Sequence, residues 1–136
     1  MIKRLALATA TLGLLAAPAV QADDHKEMTK GGAKLAKMLE GRVAGEPESC
    51  ITTIGSRSMQ RIDDTALVYK SGKTIWVNYT KTPESIDDGD YLVIRKFSGS
   101  QLCRTDQVTT RDRASNMFSG VIFLDDFIPY RLPEEG

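Results

Sequence analysis

The sequence predicts a mainly β fold, in which one short N-terminal helix precedes a small antiparallel sandwich or partly open barrel of about six or seven strands. Three observations carry that reading. Helical spacing of apolar residues is confined to one stretch around Leu35. From Cys50 onward, short β-branched and aromatic runs alternate with clusters of Gly, Pro, Ser and Asp. One pair of those runs is joined by a turn signal tight enough for a hairpin.

Residues 23–34 are polar, include Gly31-Gly32, and read as a flexible lead-in. Between Ala33 and Glu40, Leu35, Met38 and Leu39 recur at i, i+3 and i+4 among lysines, which makes one apolar stripe on a short helix. Gly41 stands where a C-terminal cap is expected. A helix that short persists only by docking on something else. Gly45 and Pro47 then punctuate a loop leading to Cys50.

The β pattern follows. Cys50–Ile54 is short and β-branched, and Ser58–Ile62 alternates weakly. Thr65–Lys70 and Lys73–Tyr79 flank Ser71-Gly72 and predict a β-hairpin, with Ile75, Val77 and Tyr79 on one face and Trp76 on the other. A loop from Thr82 to Asp90 precedes the strand Tyr91–Arg95. Ser98-Gly99-Ser100 turns the chain toward Leu102-Cys103, and Asp106–Thr110 has strand composition. After the polar turn Asp112–Asn116, Phe118–Phe123 forms the next run, with Gly120 as the expected bulge. Phe127–Tyr130 closes the pattern, and Pro129 argues for an edge or a strand end.

The 136 residues divide into a leader (1–22), the lead-in (23–34) and one β-rich domain (35–136). Lys3 and Arg4 give a positive start, Leu5–Val20 is uncharged, and Val20-Gln21-Ala22 offers small residues before Asp23. Those features define a secretory signal peptide cut between Ala22 and Asp23. The apolar run is shorter than a membrane span and is broken by Gly13 and Pro18, and no later stretch is apolar enough to span. The expected location is therefore the periplasm or the exterior. Lys plus Arg and Asp plus Glu each number 18, and loss of Lys3 and Arg4 leaves the mature form slightly acidic. That balance points away from nucleic acid and from a membrane surface as partners.

Cys50 and Cys103 are the two cysteines. In an oxidising compartment they are expected to form a disulfide. Closing a loop of about 50 residues contributes roughly 4 kcal/mol in the chain-entropy picture. A nucleophilic or redox role is disfavoured, because the pair is not Cys-x-x-Cys and the one histidine, His25, lies near the new N-terminus.

From Gly41 onward the chain resembles a family of small exported bacterial proteins, best represented in alphaproteobacteria, that has no assigned activity. The residues that carry the resemblance are Gly41-Arg42-Val43-Ala44-Gly45-Glu46-Pro47 with Cys50-Ile51, then Leu102-Cys103-Arg104 with Asp106 and Val108, then Phe127-Ile128-Pro129-Tyr130. The resemblance implies export and a disulfide, and brings no functional residues with it.

Chemistry-bearing groups are sparse. With His25 in the lead-in, a Ser-His-Asp triad lacks its base and a histidine zinc site is out of reach. Asp63-Asp64, Asp87-Asp88-Asp90 and Asp125-Asp126 could supply paired carboxylates for glycoside hydrolysis, or read as solvated turn residues. Asp87–Asp90 does not match an EF-hand loop. Asn78-Tyr79-Thr80 matches a glycosylation sequon but falls inside an expected strand. Arg42, Arg57, Arg61, Arg104 and Arg131 could build an anionic site or surface pairs. Trp76, with Tyr69, Tyr79, Tyr91 and Tyr130, could line a contact surface or groove; alternatively Trp76 is a core residue and the helix covers the opposite face.

No catalytic, metal or cofactor-binding residue is assigned. The expected function is a non-enzymatic periplasmic module that binds a protein or small ligand, an inhibitor of an envelope hydrolase being one version. The rivals are a small carboxylate-dependent hydrolase and a structural envelope component.

Overall fold

The computed structural model describes residues 29–53 and 59–134. The signal peptide, the Ala22–Asp23 cleavage site, His25, Ile54, Arg57 and Ser58 lie outside the described residues. Helix α1 spans Lys30–Met38, starting ahead of the expected Ala33 and inside the expected lead-in. The cause is Thr29, whose Oγ1 accepts a hydrogen bond from the Gly32 N–H at 3.0 Å and caps the first turn. Leu35 is buried beneath the helix, with Met38 and Leu39 half-buried beside it. Gly31 sits at the point of closest approach. A Cβ there would stand 2.1 Å from Thr65 Oγ1 and 2.3 Å from the Asp63 carbonyl oxygen, so only glycine lets the helix lie this low.

Ten strands follow: β1 (Val43–Ala44), β2 (Cys50–Thr52), β3 (Gln60–Ile62), β4 (Ala66–Ser71), β5 (Thr74–Asn78), β6 (Asp90–Arg95), β7 (Gln101–Cys103), β8 (Gln107–Asp112), β9 (Phe118–Ile122) and β10 (Ile128–Arg131). The architecture is mainly β and antiparallel, with no closed barrel. The count exceeds the expected six or seven because pieces such as β1 and β7 are two or three residues long. Pieces that short carry no periodicity and exist only through their pairing.

The larger sheet has the order β1-β10-β5-β4-β3. Its central hairpin β4–β5 turns at Gly72, whose φ of +58° is the first central position of a tight two-residue turn between Ser71 and Thr74. Successive residues of these strands point to opposite faces. Ile62, Ala66, Val68, Ile75 and Val77 meet Leu35 of α1 on one side. Leu67, Tyr69 and Trp76 face the other way, into the second core. Burial on both faces explains why Ala66–Tyr69 is a continuous buried run.

That second core is roofed by a three-stranded sheet, β6-β8-β9, and by the pair β2-β7. Ile51, Leu102, Val108, Ile122, Leu124 and Phe127 fill it. Burying each such side chain is worth about 1.5–3 kcal/mol. The layers therefore run helix, five-stranded sheet, core, smaller sheets.

Three details refine the expectations. The bulge in β9 falls at Ser119 rather than Gly120, because Thr110 pairs with Gly120 and Arg111 with Phe118. Pro129 lies within β10, between β1 and β5. Gly45 N–H donates to the Pro129 carbonyl at 2.7 Å, but proline has no N–H to return, and β1 stops at Ala44. Cys50 and Cys103 are register partners of β2 and β7 with sulfurs at disulfide-bonding distance. Backbone bonds from Arg104 to Ser49 and from Thr53 to Ser100 flank them, which makes theirs a non-hydrogen-bonded pair, the closer kind, with Cα atoms 3.9 Å apart. The free Cys103 N–H donates instead to Asp106 Oδ2 at 2.8 Å, and Phe97 N–H donates to Oδ1 at 3.0 Å, so buried Asp106, in the β7–β8 connection, ties the end of β7 to the β6–β7 connection.

Candidate functional site

The two outer faces of the sandwich differ. Helix α1 packs on one face of the five-stranded sheet, whereas the three-stranded sheet is touched beside β9 by the short 3-10 turn Pro83–Ser85 and leaves Phe118 and Phe123 exposed. Pairing register writes out that bare face in rows. Tyr91, Arg111 and Phe118 form the first, Val93, Thr109 and Val121 the second, and Arg95 with Gln107 the third. Phe123 extends the third row just past β9, because Ile122 and Leu124 point into the core and Phe123 alternates outward.

The face has aromatic groups at three corners and Arg95 at the fourth, while the central strand presents Arg111, Thr109 and Gln107 between Val93 on one side and Val121 on the other. Phe118 is 61% exposed and Phe123 58%, with Met117 at 68% beside them. Of the four phenylalanines in the chain, only Phe127 is buried. Phe97, in the connection after β6, is the most exposed. Arg111 is held in place by donating Nη1 to the Asn116 carbonyl at 3.1 Å, and the Tyr91 hydroxyl donates to the Asn116 side chain.

No acidic side chain stands in those rows. The nearest carboxylate, Asp112, is turned into the β8–β9 connection, where it accepts from Ser115 N–H, Ser115 Oγ and Ala114 N–H. The Ser115 bonds foremost, then that from Ala114, hold its carboxyl below the usual carboxylate range. At the end of the face the surface dips into a groove of about 370 Å³ lined by Lys81, Arg104, Gln107, Val121 and Phe123. Arg104 is paired with Asp126 at 3.1 Å, while Lys81 has no ion-pair partner among the described residues.

The residues singled out from sequence are dispersed. Trp76 is half-buried at the rim of the inter-sheet core, between Tyr69 and Pro129 in register, and the Arg131 guanidinium lies 5.6 Å from its ring centroid. Tyr69 is buried in that core, and burial pushes its hydroxyl pKa up. Tyr79 and Tyr130 share a hydrogen bond of 2.8 Å on the other side of the sheet, and burial followed by that bond raises the Tyr79 pKa. Asp63-Asp64 sits in the β3–β4 turn, Asp87 and Asp88 precede β6 with Asp90 as its first residue, and Asp125-Asp126 precedes β10. A carboxylate pair for glycoside chemistry would have to face each other across one cleft; these three clusters occupy three separate parts of the chain, ahead of β4, β6 and β10. Among the described residues no group of three or more His, Cys, Asp and Glu is placed to hold a metal. Asn78 of the sequon is fully buried and accepts from Thr80 N–H and Asp125 N–H, each at 3.0 Å.

Sequence reading passed over Phe118, Phe123 and Arg111. Their signal was present in part: with Ile122 taken as a core residue, alternation sends Phe123 outward. The bulge at Ser119 reverses the alternation before Phe118, and no pattern marks where such a bulge falls. No family model, curated protein or solved structure matches this chain.

Proposed function

We propose that this chain is an exported, non-enzymatic interaction module whose bare sheet face docks a partner protein presenting apolar and acidic groups. The observation that carries the reading is the outer face of β6-β8-β9, where Phe118, Phe123 and Met117 are exposed around Val93 and Val121. A contiguous exposed apolar patch with a polar rim marks interaction surfaces. Its charge is cationic, with Arg111 on the central strand, Arg95 at a corner and Lys81 in the adjoining groove. A second copy is the poorer occupant: in an isologous dimer the patch meets itself, and arginine would face arginine. Export to the periplasm, and kinship with the small exported proteins named above, belong to the same reading; the leader sequence and the Cys50–Cys103 pair support them.

The test starts from affinity capture with the mature protein from an envelope extract, followed by direct binding of the purified captured protein. Phe118→Ser and Arg111→Glu should each weaken that binding about tenfold or more, and added salt should weaken it further. Lys34→Glu, on exposed α1, should leave it unchanged. Wild-type affinity in both face variants overturns the reading. So does a stable dimer in light scattering that Phe118→Ser dissolves.

A further inference from the structure

At the end of the five-stranded sheet, Arg42, Lys73 and Arg131 line a groove of about 910 Å³ together with Gly72, Leu132, Pro133 and Glu134. The three cations come from separate parts of the chain: the α1–β1 connection, the β4–β5 turn and the end of β10. Two of them are pre-positioned by neutral acceptors. Arg42 donates Nη1 to the Lys73 carbonyl at 2.7 Å and to the Tyr130 carbonyl at 3.3 Å. Arg131 donates Nε to Thr74 Oγ1 at 3.2 Å and rests over the Trp76 ring.

None of the three is in an ion pair among the described residues, where Arg104–Asp126 is the one salt bridge. Among the described residues, three positive charges and one carboxylate, Glu134, thus line the groove. Fixing a guanidinium with carbonyl and hydroxyl oxygens holds its fork in place without neutralising it, and leaves its other N–H groups for a ligand. Leu132, 57% exposed, and Pro133 supply an apolar wall next to this charge.

We propose that this groove binds a phosphate-bearing amphiphile: the phosphate against Arg42, Lys73 and Arg131, and the apolar body along Leu132 and Pro133. Planar guanidinium forks match phosphate oxygens in pairs, and the lysine adds a point charge. A dianionic head leaves the groove close to neutral, and a ligand-sized cleft is of this volume. The site is independent of the bare sheet face, which the three-stranded sheet carries. The chemistry is shared by a lipid headgroup in a membrane and by a free organic phosphate.

Trp76 is the single tryptophan and lies under Arg131, so it reports on the groove. Mature protein at low salt is titrated with dihexanoyl phosphatidate below its micelle concentration, following Trp76 fluorescence and calorimetric heat. Saturable binding is expected, with Lys73→Gln and Arg131→Gln each raising Kd about tenfold, the worth of one lost charged hydrogen bond. Lys34→Gln should bind as wild type, and circular dichroism should show all variants folded. Saturable binding of the soluble phosphatidate without vesicle cosedimentation assigns the site to a free organic phosphate, and inorganic phosphate binding as tightly as the phosphatidate overturns the proposal, since the Leu132–Pro133 wall then contributes nothing. Cosedimentation with phosphatidate vesicles but not with phosphatidylcholine vesicles assigns it to a membrane headgroup. The proposal is overturned if phosphatidate shows no saturable binding at millimolar concentration. It is equally overturned if both groove variants bind as wild type does.

Discussion

The helix-covered face of the five-stranded sheet and the open face of the three-stranded sheet are built from the same kind of strand, yet they carry different side chains. The covered face presents Ile62, Ala66, Val68, Ile75 and Val77, compact groups that interlock with Leu35. The open face presents Phe118, Phe123, Tyr91, Arg95 and Arg111 among smaller residues. The first set is buried within the chain, whereas Phe118 and Phe123 of the second stay exposed. The second set leaves large apolar area in water, which folding alone does not require. The difference separates residues that hold the fold from residues available to a partner.

The comparison can be pressed by substitution. The largest effect belongs to the staple beside both sheets: replacing Cys50 and Cys103 together by Ser should cost about 4 kcal/mol, read from urea unfolding. Next, Ile62→Ala on the covered face should cost about 2–5 kcal/mol, because a buried side chain is lost and a cavity remains. Gly31→Ala should cost about 1–3 kcal/mol through overpacking, since the helix must lift from the Asp63 carbonyl. A cost near zero would mean that the helix does not lie as close as its glycine implies.

A smaller effect concerns pH. The Asp112 carboxyl is held below its ordinary pKa by the Ser115 bonds and then by Ala114. Its stabilising contribution is therefore present above the unfolded-state value and is lost as pH falls through the lower folded value. Asp112→Asn should flatten the acid limb of a Tm-against-pH curve below about pH 4 and leave Tm nearly pH-independent above it. The smallest effect is expected on the open face, where Phe118→Ser should change stability by less than about 0.5 kcal/mol. A loss as large as that of Ile62→Ala would place Phe118 in the core and erase the distinction between the faces.

Some of this was legible beforehand. The Ser71-Gly72 turn, the flanking strands and the opposition of Trp76 to Ile75 and Val77 follow from local turn chemistry and the two-residue period. The helix was legible in its stripe but not in its start, since Thr29 acts through a cap and not through periodicity. The site residues were harder. Arg42, Lys73 and Arg131 were visible as charges, but nothing local says that they share a groove, or that Arg42 donates to carbonyls 31 and 88 residues away.

The sequence by itself determined the β character, the hairpin, the face alternation within each strand and the candidate disulfide, because each is written in a residue and its near neighbours. Tertiary structure alone decided which face of which sheet the helix would cover, and hence which apolar residues stay in water. It also brought the three cations to one end of the sheet. Pairing between distant strands depends on packing across the whole domain, and no local pattern records it.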